Sequence, residues 1–131
     1  MSWKLQTSSD EIALLMEVGF LCRYSRHFAE ARDIFTGVQV LRPDSEIPLV
    51  ALGSVDFEEG HFAKAIEGYR KALRVNPNSA YAYAHLGEAQ LFQLDKESAH
   101  ISLQRAISLD PKGESGKFAR SLLAFAEVVS W

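Results

Sequence analysis

Cysteine, methionine and proline are scarce in this sequence of 131 residues, which contains one, two and four of them respectively. The single cysteine, Cys22, cannot form an internal disulfide, and a reducing compartment is the simplest expectation. No apolar run approaches the roughly 20 residues of a membrane-spanning helix. The opening stretch "MSWKLQTSSDE" lacks the basic start and apolar run of a secretory signal. We therefore expect a soluble, cytoplasmic protein.

Positive charge is not in excess either. The formal net charge is -3, so nothing in the balance favours nucleic acid or an anionic membrane surface as a partner. Hydrophobic residues make up 47% of the chain, which is ordinary for a globular protein that buries a core. The length suits one domain, residues 1–131.

What the sequence does contain is an internal repeat. The stretch "GHFAKAIEGYRKALRVNP" ends at Pro77, and two other stretches of equal length end at Pro43 and Pro111. Glycine, alanine and proline each recur at a constant interval of 34 positions, at Gly19, Gly53 and Gly87; Ala31, Ala65 and Ala99; Pro43, Pro77 and Pro111. A fixed period of this kind indicates a repeat architecture.

The spacing inside each unit is helical, since Leu49, Leu52 and Gly53 lie at i, i+3 and i+4. A turn centred on Gly60 divides the second unit into two antiparallel helices. The predicted helices are 11–24, 28–41, 46–59, 62–75, 80–93 and 96–109, in repeats of about 12–45, 46–79 and 80–113. Ser8 followed by Glu11 fits a capping box at the first of them.

The repeat ends after Pro111, but an apolar stripe continues. Phe118, Leu122, Phe125 and Val129 recur at helical spacing, which predicts a seventh helix over about 114–129. This helix is expected to cover the open end of the stack, as terminal caps do in repeat arrays.

These features resemble the tetratricopeptide repeat (TPR), a helix-turn-helix unit of 34 residues. The resemblance covers residues 12–111 and implies an all-α, right-handed solenoid of three repeats plus the capping helix. One departure is the site that usually holds tyrosine late in the first helix, where Cys22, Asp56 and Gln90 stand, and where weaker local packing is expected.

The resemblance also implies a protein-binding groove lined by the first helix of each repeat. One TPR subfamily, the co-chaperones of large heat-shock proteins, binds a terminal carboxylate there with Lys, Asn, Asn, Lys and Arg. The matching positions here agree with none of these, so we reject a carboxylate clamp; they are Met16, Phe20, Ala51, Tyr81 and His85.

An apolar groove is predicted instead. Such a surface suits the apolar face of a helix or an extended apolar segment, with Met and aromatic side chains as anchors. The preferred anchors are Met16, Phe20, Phe57 and Phe92, and Glu17 and Glu88 are expected to select basic flanks. The full predicted partner-binding set is Met16, Glu17, Phe20, Tyr24, Val50, Phe57, Tyr81, His85, Glu88, Leu91 and Phe92.

Catalytic and metal-binding patterns are not found. The four histidines, His27, His61, His85 and His100, match no zinc spacing, and Cys22 has no second cysteine. Cys22 is interpreted as a structural thiol, and no nucleophile elbow or phosphate loop is present. We expect no enzyme, no cofactor and no metal.

Two functional hypotheses remain. Small three-repeat proteins with an apolar groove and a helical cap are similar to bacterial type III secretion chaperones, which hold a needle or translocator subunit and prevent its self-assembly. The alternative is a TPR scaffold that joins other proteins or self-associates, with Trp3, Trp131 and the cap helix driving dimer formation. Both leave open whether the N-terminal segment packs against the groove.

Overall fold

The computed structural model describes residues 8–129, which form seven helices and no strand. The all-α prediction is confirmed, and every predicted helix end within that range lies within two residues of the observed one. The helices are α1 Ser9–Tyr24, α2 Phe28–Leu41, α3 Ile47–Glu58, α4 Phe62–Val75, α5 Ala80–Phe92, α6 Lys96–Leu109 and α7 Glu114–Val128. The prediction about Trp3 and Trp131 falls outside the described residues.

The helix starts follow local capping chemistry. At α1 the Ser8 hydroxyl accepts the Glu11 backbone N–H at 3.1 Å, and the Glu11 carboxylate accepts the Ser8 N–H at 3.4 Å. This is the predicted capping box, which satisfies two of the N–H groups that lack a partner inside the helix. Ser79 caps α5 by accepting the Ala82 N–H at 3.1 Å.

The turn inside each repeat requires one residue in the left-handed backbone region. That residue is Arg26 in the first repeat, Gly60 in the second and Leu94 in the third, with φ of 64°, 82° and 63°. The three positions are again 34 residues apart. Glycine adopts this conformation without a Cβ clash, so the second repeat makes the turn with the least strain.

Small residues let the two helices of a repeat approach closely. Ala65 and Ala72 of α4 are fully buried, as is the ring of Tyr69 between them. A Cβ built on Gly53 of α3 would lie 2.6 Å from Cε1 of Tyr69, so glycine is required at this contact. Phe35 and Leu103 lie against Gly19 and Gly87 in the same way, which confirms the predicted packing role of the recurring residues.

The order of packing also sets the curvature. Backbone contacts join α1 to α3, α3 to α5 and α5 to α7. Within residues 8–129, the second helices α2, α4 and α6 make no such contacts with one another. Because the first helices lie closer together than the second helices, the array curves towards the first helices. We call the surface that α1, α3, α5 and α7 share the inner face.

Helix α7 covers the end of the third repeat, as predicted. The Asp110 carboxylate accepts the Gly113 N–H at 3.1 Å at the entrance to this helix. Ala119 and Ala126 are then buried in one apolar cluster with Leu91 and Leu103. Since α7 contacts both α5 and α6, it extends the inner face beyond the third repeat.

The three positions that depart from the repeat pattern are not equivalent in packing. Asp56 accepts a hydrogen bond from Arg32 of the first repeat at 3.0 Å. The buried Gln90 side-chain oxygen accepts the Ser102 hydroxyl at 2.7 Å, which ties α5 to α6. Cys22 is half-buried against the apolar cluster of the first repeat. Polar pairing therefore replaces the tyrosine contact at two of the three positions.

Candidate protein-binding groove

The inner face combines buried supports with exposed side chains. Three of the predicted partner-binding residues are core residues: Met16, Val50 and Leu91, with exposed fractions of 8%, 0% and 3%. They support the inner face from beneath, and their burial removes them from the surface available to a partner. The remaining predicted residues are exposed or half-exposed, namely Glu17, Phe20, Tyr24, Phe57, Tyr81, His85, Glu88 and Phe92.

One end of the inner face carries three mutually packed rings, which we call the phenylalanine cluster: Phe57, Phe62 and Phe92. The ring centroids of Phe57 and Phe92 are 4.9 Å apart in an edge-to-face arrangement. Phe62 lies 5.2 Å from Phe57 and 5.4 Å from Phe92. Phe92 remains 52% exposed, so the cluster presents an apolar surface where α3 and α5 end.

Phe62 was not among the predicted residues because it belongs to a second helix. It is the first residue of α4, directly after the turn, and this position brings its ring back towards the first helices. Phe28 occupies the corresponding position at the start of α2. That recurrence of phenylalanine after the turn was the available signal in the sequence.

Helix α1 contributes a second apolar area. Glu17, Phe20, Leu21, Arg23 and Tyr24 line an open depression of about 390 Å³. The Arg23 guanidinium lies over the Phe20 ring, 5.1 Å from its centroid, and donates to the Ser54 hydroxyl of α3 at 2.8 Å. Arg23 therefore joins the first and second repeats across the inner face.

The third repeat and the cap helix form another depression. Tyr81, His85, Glu114, Ser115 and Phe118 line this open space of about 330 Å³. The His85 ring packs edge-on against Tyr81 at 4.9 Å and lies 5.2 Å from Phe118. Phe118 had been assigned only to the apolar stripe of the cap, and its place in the repeat register gave no sign of this exposure.

A polar centre lies between these two depressions. His85 Nδ1 is 3.3 Å from the Glu88 carboxylate. The Ser54 hydroxyl, which accepts from Arg23, itself donates to the Ala51 carbonyl at 2.6 Å. Behind them the Tyr69 ring lies 5.9 Å from the His85 ring. The Tyr69 hydroxyl is buried and has no hydrogen-bond partner within residues 8–129.

Burial and charge together keep both tyrosine hydroxyls of this centre protonated. Burial raises the pKa of Tyr69 well above its ordinary value, and the negative charge of Glu88 adds to that effect. Burial also raises the pKa of Tyr81, while the positive charge of Arg23 opposes the rise and Glu46 adds to it. Each hydroxyl is therefore available as a hydrogen-bond donor at neutral pH.

One acidic cluster lies near the turn of the second repeat. Ligand atoms of Asp56, Glu59 and His61 fall within 4.8 Å of one another. Arg32 forms ion pairs with both carboxylates, and its Nη2 lies 3.0 Å from Asp56. This guanidinium neutralises the two acidic groups and connects the first repeat to the second, so the cluster has a structural explanation without a metal ion.

No helix in the part of the chain that the structure describes combines the length and the apolar character required to cross a bilayer.

Comparison with known proteins agrees with the repeat pattern. A TPR repeat profile matches residues 53–93, and a tetratricopeptide repeat profile matches residues 80–112. The chain is 33% identical over 73 residues to cellulose synthase operon protein C of Escherichia coli strain K12, a stretch that is 56% of this chain. It spans 6% of that relative's length.

Two solved structures of secretion chaperones have a similar fold. The Yersinia enterocolitica type III secretion translocator chaperone SycD has a TM-score of 0.78 and 21% identity, over 93% of this chain and 92% of that chain. PcrH in complex with the chaperone binding region of PopB has a TM-score of 0.73 and 20% identity, over 91% and 97% of the two chains. At these identities the likeness shows the fold.

Proposed function

We propose that this chain, which contains tetratricopeptide repeats, is a non-enzymatic binding protein whose inner face holds an apolar segment of a client protein. The observation that carries the proposal is the phenylalanine cluster, with Phe92 52% exposed. Aromatic side chains at the surface of a groove provide large contact areas at small cost in conformational entropy. The two depressions beside it continue the surface along α1 and α7.

The most specific role that fits is a cytoplasmic type III secretion chaperone. SycD is a translocator chaperone, and PcrH was solved with the chaperone binding region of PopB. By analogy, the inner face would cover an apolar helical or extended segment of a needle or translocator subunit. Masking that segment prevents the contacts by which the client would otherwise assemble or aggregate.

Replacing Phe92 with aspartate is expected to weaken binding at least about tenfold, because the carboxylate would be desolvated among phenylalanine rings. The probe is a phage-displayed library of random 16-residue peptides, selected on the purified full chain. Affinities of the enriched peptides are then measured by fluorescence polarisation for the native chain and the variant. Enriched peptides should be apolar, and circular dichroism should show unchanged helicity.

Ile101 provides the matched control for this substitution. It lies on α6, a second helix, and is 67% exposed. An Ile101→Asp variant should bind the same peptides with unchanged affinity. Failure to enrich any peptide, or equal losses for the two variants, would count against the inner face as the binding surface.

A second candidate, self-association, is favoured by the outer flank of α1. Leu14 and Leu21 are 61% and 65% exposed there, and Leu15 and Val18 are 37% and 40% exposed beside them. Apolar side chains grouped in this way favour contact with another protein surface. Sedimentation of the full chain distinguishes the candidates, since a scaffold of this kind predicts a dimer at micromolar concentration and a simple chaperone a monomer.

A further inference from the structure

Tyr69 differs from its counterparts in the other repeats. Phe35, Tyr69 and Leu103 stand 34 residues apart, each lies over a glycine of the preceding helix, and each is fully buried. Phenylalanine and leucine fill this place with apolar atoms alone. Tyr69 adds a hydroxyl that packing does not require, so the reason for the hydroxyl has to be sought in its surroundings.

That hydroxyl is directed at the polar centre of the inner face. Tyr69 extends from α4 across Gly53 of α3, and its ring reaches His85 of α5. The charges of Glu88 and Arg23 and the hydroxyl of Tyr81 all act on it. Within residues 8–129 the hydroxyl has no hydrogen-bond partner. A buried polar group without a partner is destabilising, so its presence points to a ligand atom.

The charges around this hydroxyl decide which ligand chemistry fits. Arg23 carries one positive charge and Glu88 one negative charge, with the latter beside His85 at 3.3 Å. Glu46 and Asp56 add negative charge near the two tyrosines, and Arg23 is the cation that opposes them. A ligand carboxylate would face these acidic groups, and a ligand ammonium would face the donors Arg23 and Tyr69.

A neutral group that both accepts and donates hydrogen bonds meets neither difficulty. We propose that the polar centre is a subsite for an amide of the bound segment, either a main-chain amide or an Asn or Gln side chain. The amide oxygen accepts from the Tyr69 hydroxyl, with Arg23 as a second donor, and the amide N–H faces Glu88. This subsite rests on the proposed function, since it fixes one polar group of a segment held otherwise by apolar contacts.

The test uses the full chain and the peptides enriched from the 16-residue displayed library. A Tyr69→Phe variant should fold, because Phe35 fills the same place in the first repeat. Its melting temperature should rise by about 4 °C, as expected when an unpaired buried hydroxyl is removed. Its affinity for the enriched peptides should nevertheless fall about tenfold, the effect of one lost hydrogen bond at a desolvated site.

Tyr83 provides the control, since it is a half-buried tyrosine of α5 whose ring faces Arg105 of α6. Tyr83→Phe should leave peptide affinity unchanged. In the peptides, an Asn→Asp or Gln→Glu exchange and N-methylation of single main-chain amides distinguish the two sources of the amide. One of these changes should weaken binding to the native chain about tenfold and have little further effect on the Tyr69→Phe variant.

The outcomes separate the two proposals. If no peptide is enriched, the proposed function and the subsite both fail. If peptides bind but Tyr69→Phe binds them as tightly as the native chain, the amide subsite alone is wrong. Tighter binding after an Asn→Asp or Gln→Glu exchange would likewise overturn the amide subsite in favour of a carboxylate subsite.

Discussion

Substituting Gly53 with valine is expected to lower the free energy of unfolding by about 3 kcal/mol, the upper end of the usual range for overpacking. A Cβ at this position would lie 2.6 Å from Cε1 of Tyr69 and 3.2 Å from the Ala65 carbonyl oxygen. Neither neighbour can withdraw, because the Tyr69 ring is fully buried and the carbonyl belongs to the backbone of α4. Chemical denaturation followed by circular dichroism measures the loss.

Gly37 allows a matched control, because it is a helical glycine in open space. A Cβ built there meets nothing within 4 Å. Gly37→Val should change the free energy of unfolding by no more than about 0.5 kcal/mol, and in the stabilising direction, since valine has the better helix propensity. Equal losses at the two positions would show that the seam between α3 and α4 is looser than the structure indicates.

Substituting Ala119 with aspartate is expected to detach the cap helix. Ala119 is fully buried in the cluster that also contains Leu91 and Leu103. An unpaired carboxylate at such a site costs on the order of 3–5 kcal/mol. Displacement of α7 would uncover apolar surface of the third repeat, so we expect increased binding of a hydrophobic dye and concentration-dependent association in sedimentation experiments.

Ala124 lies on the same helix and is exposed. Ala124→Asp introduces the same charge with the same helix propensity and should behave like the native chain in both experiments. If Ala119→Asp were also silent, α7 would not be the element that protects the end of the array.

The arrangement of helices was predictable because its causes are local and repeated. The 34-residue period of glycine, alanine and proline records the same close contact and the same chain reversal three times. Gly60 marks one turn openly, whereas Arg26 and Leu94 adopt the same left-handed conformation at φ of 64° and 63°. The register carried the prediction across these two turns, where residue type alone would not have indicated the conformation.

The groove was less predictable, since register gives the direction of a side chain but not its depth. Val50 and Phe57 lie on the same helix, yet Val50 is fully buried because Tyr69 and Leu86 pack in the same cluster. Phe62 and Phe118 reach the surface from a turn and from the cap, outside the repeating first helices. Such contacts depend on neighbours distant in sequence, which a single repeat does not specify.

The uncovered flank of α1 gives the array a direction in its local stability. Within residues 8–129, α1 contacts only α2 and α3, whereas α5 has α3, α4, α6 and α7 around it. In a linear array each unit is stabilised by its neighbours, so brief opening begins at the end with the fewest contacts. The side of the groove that carries Phe20 and Tyr24 therefore opens and closes more readily than the opposite side, and a long client segment can enter laterally there without disturbing the third repeat.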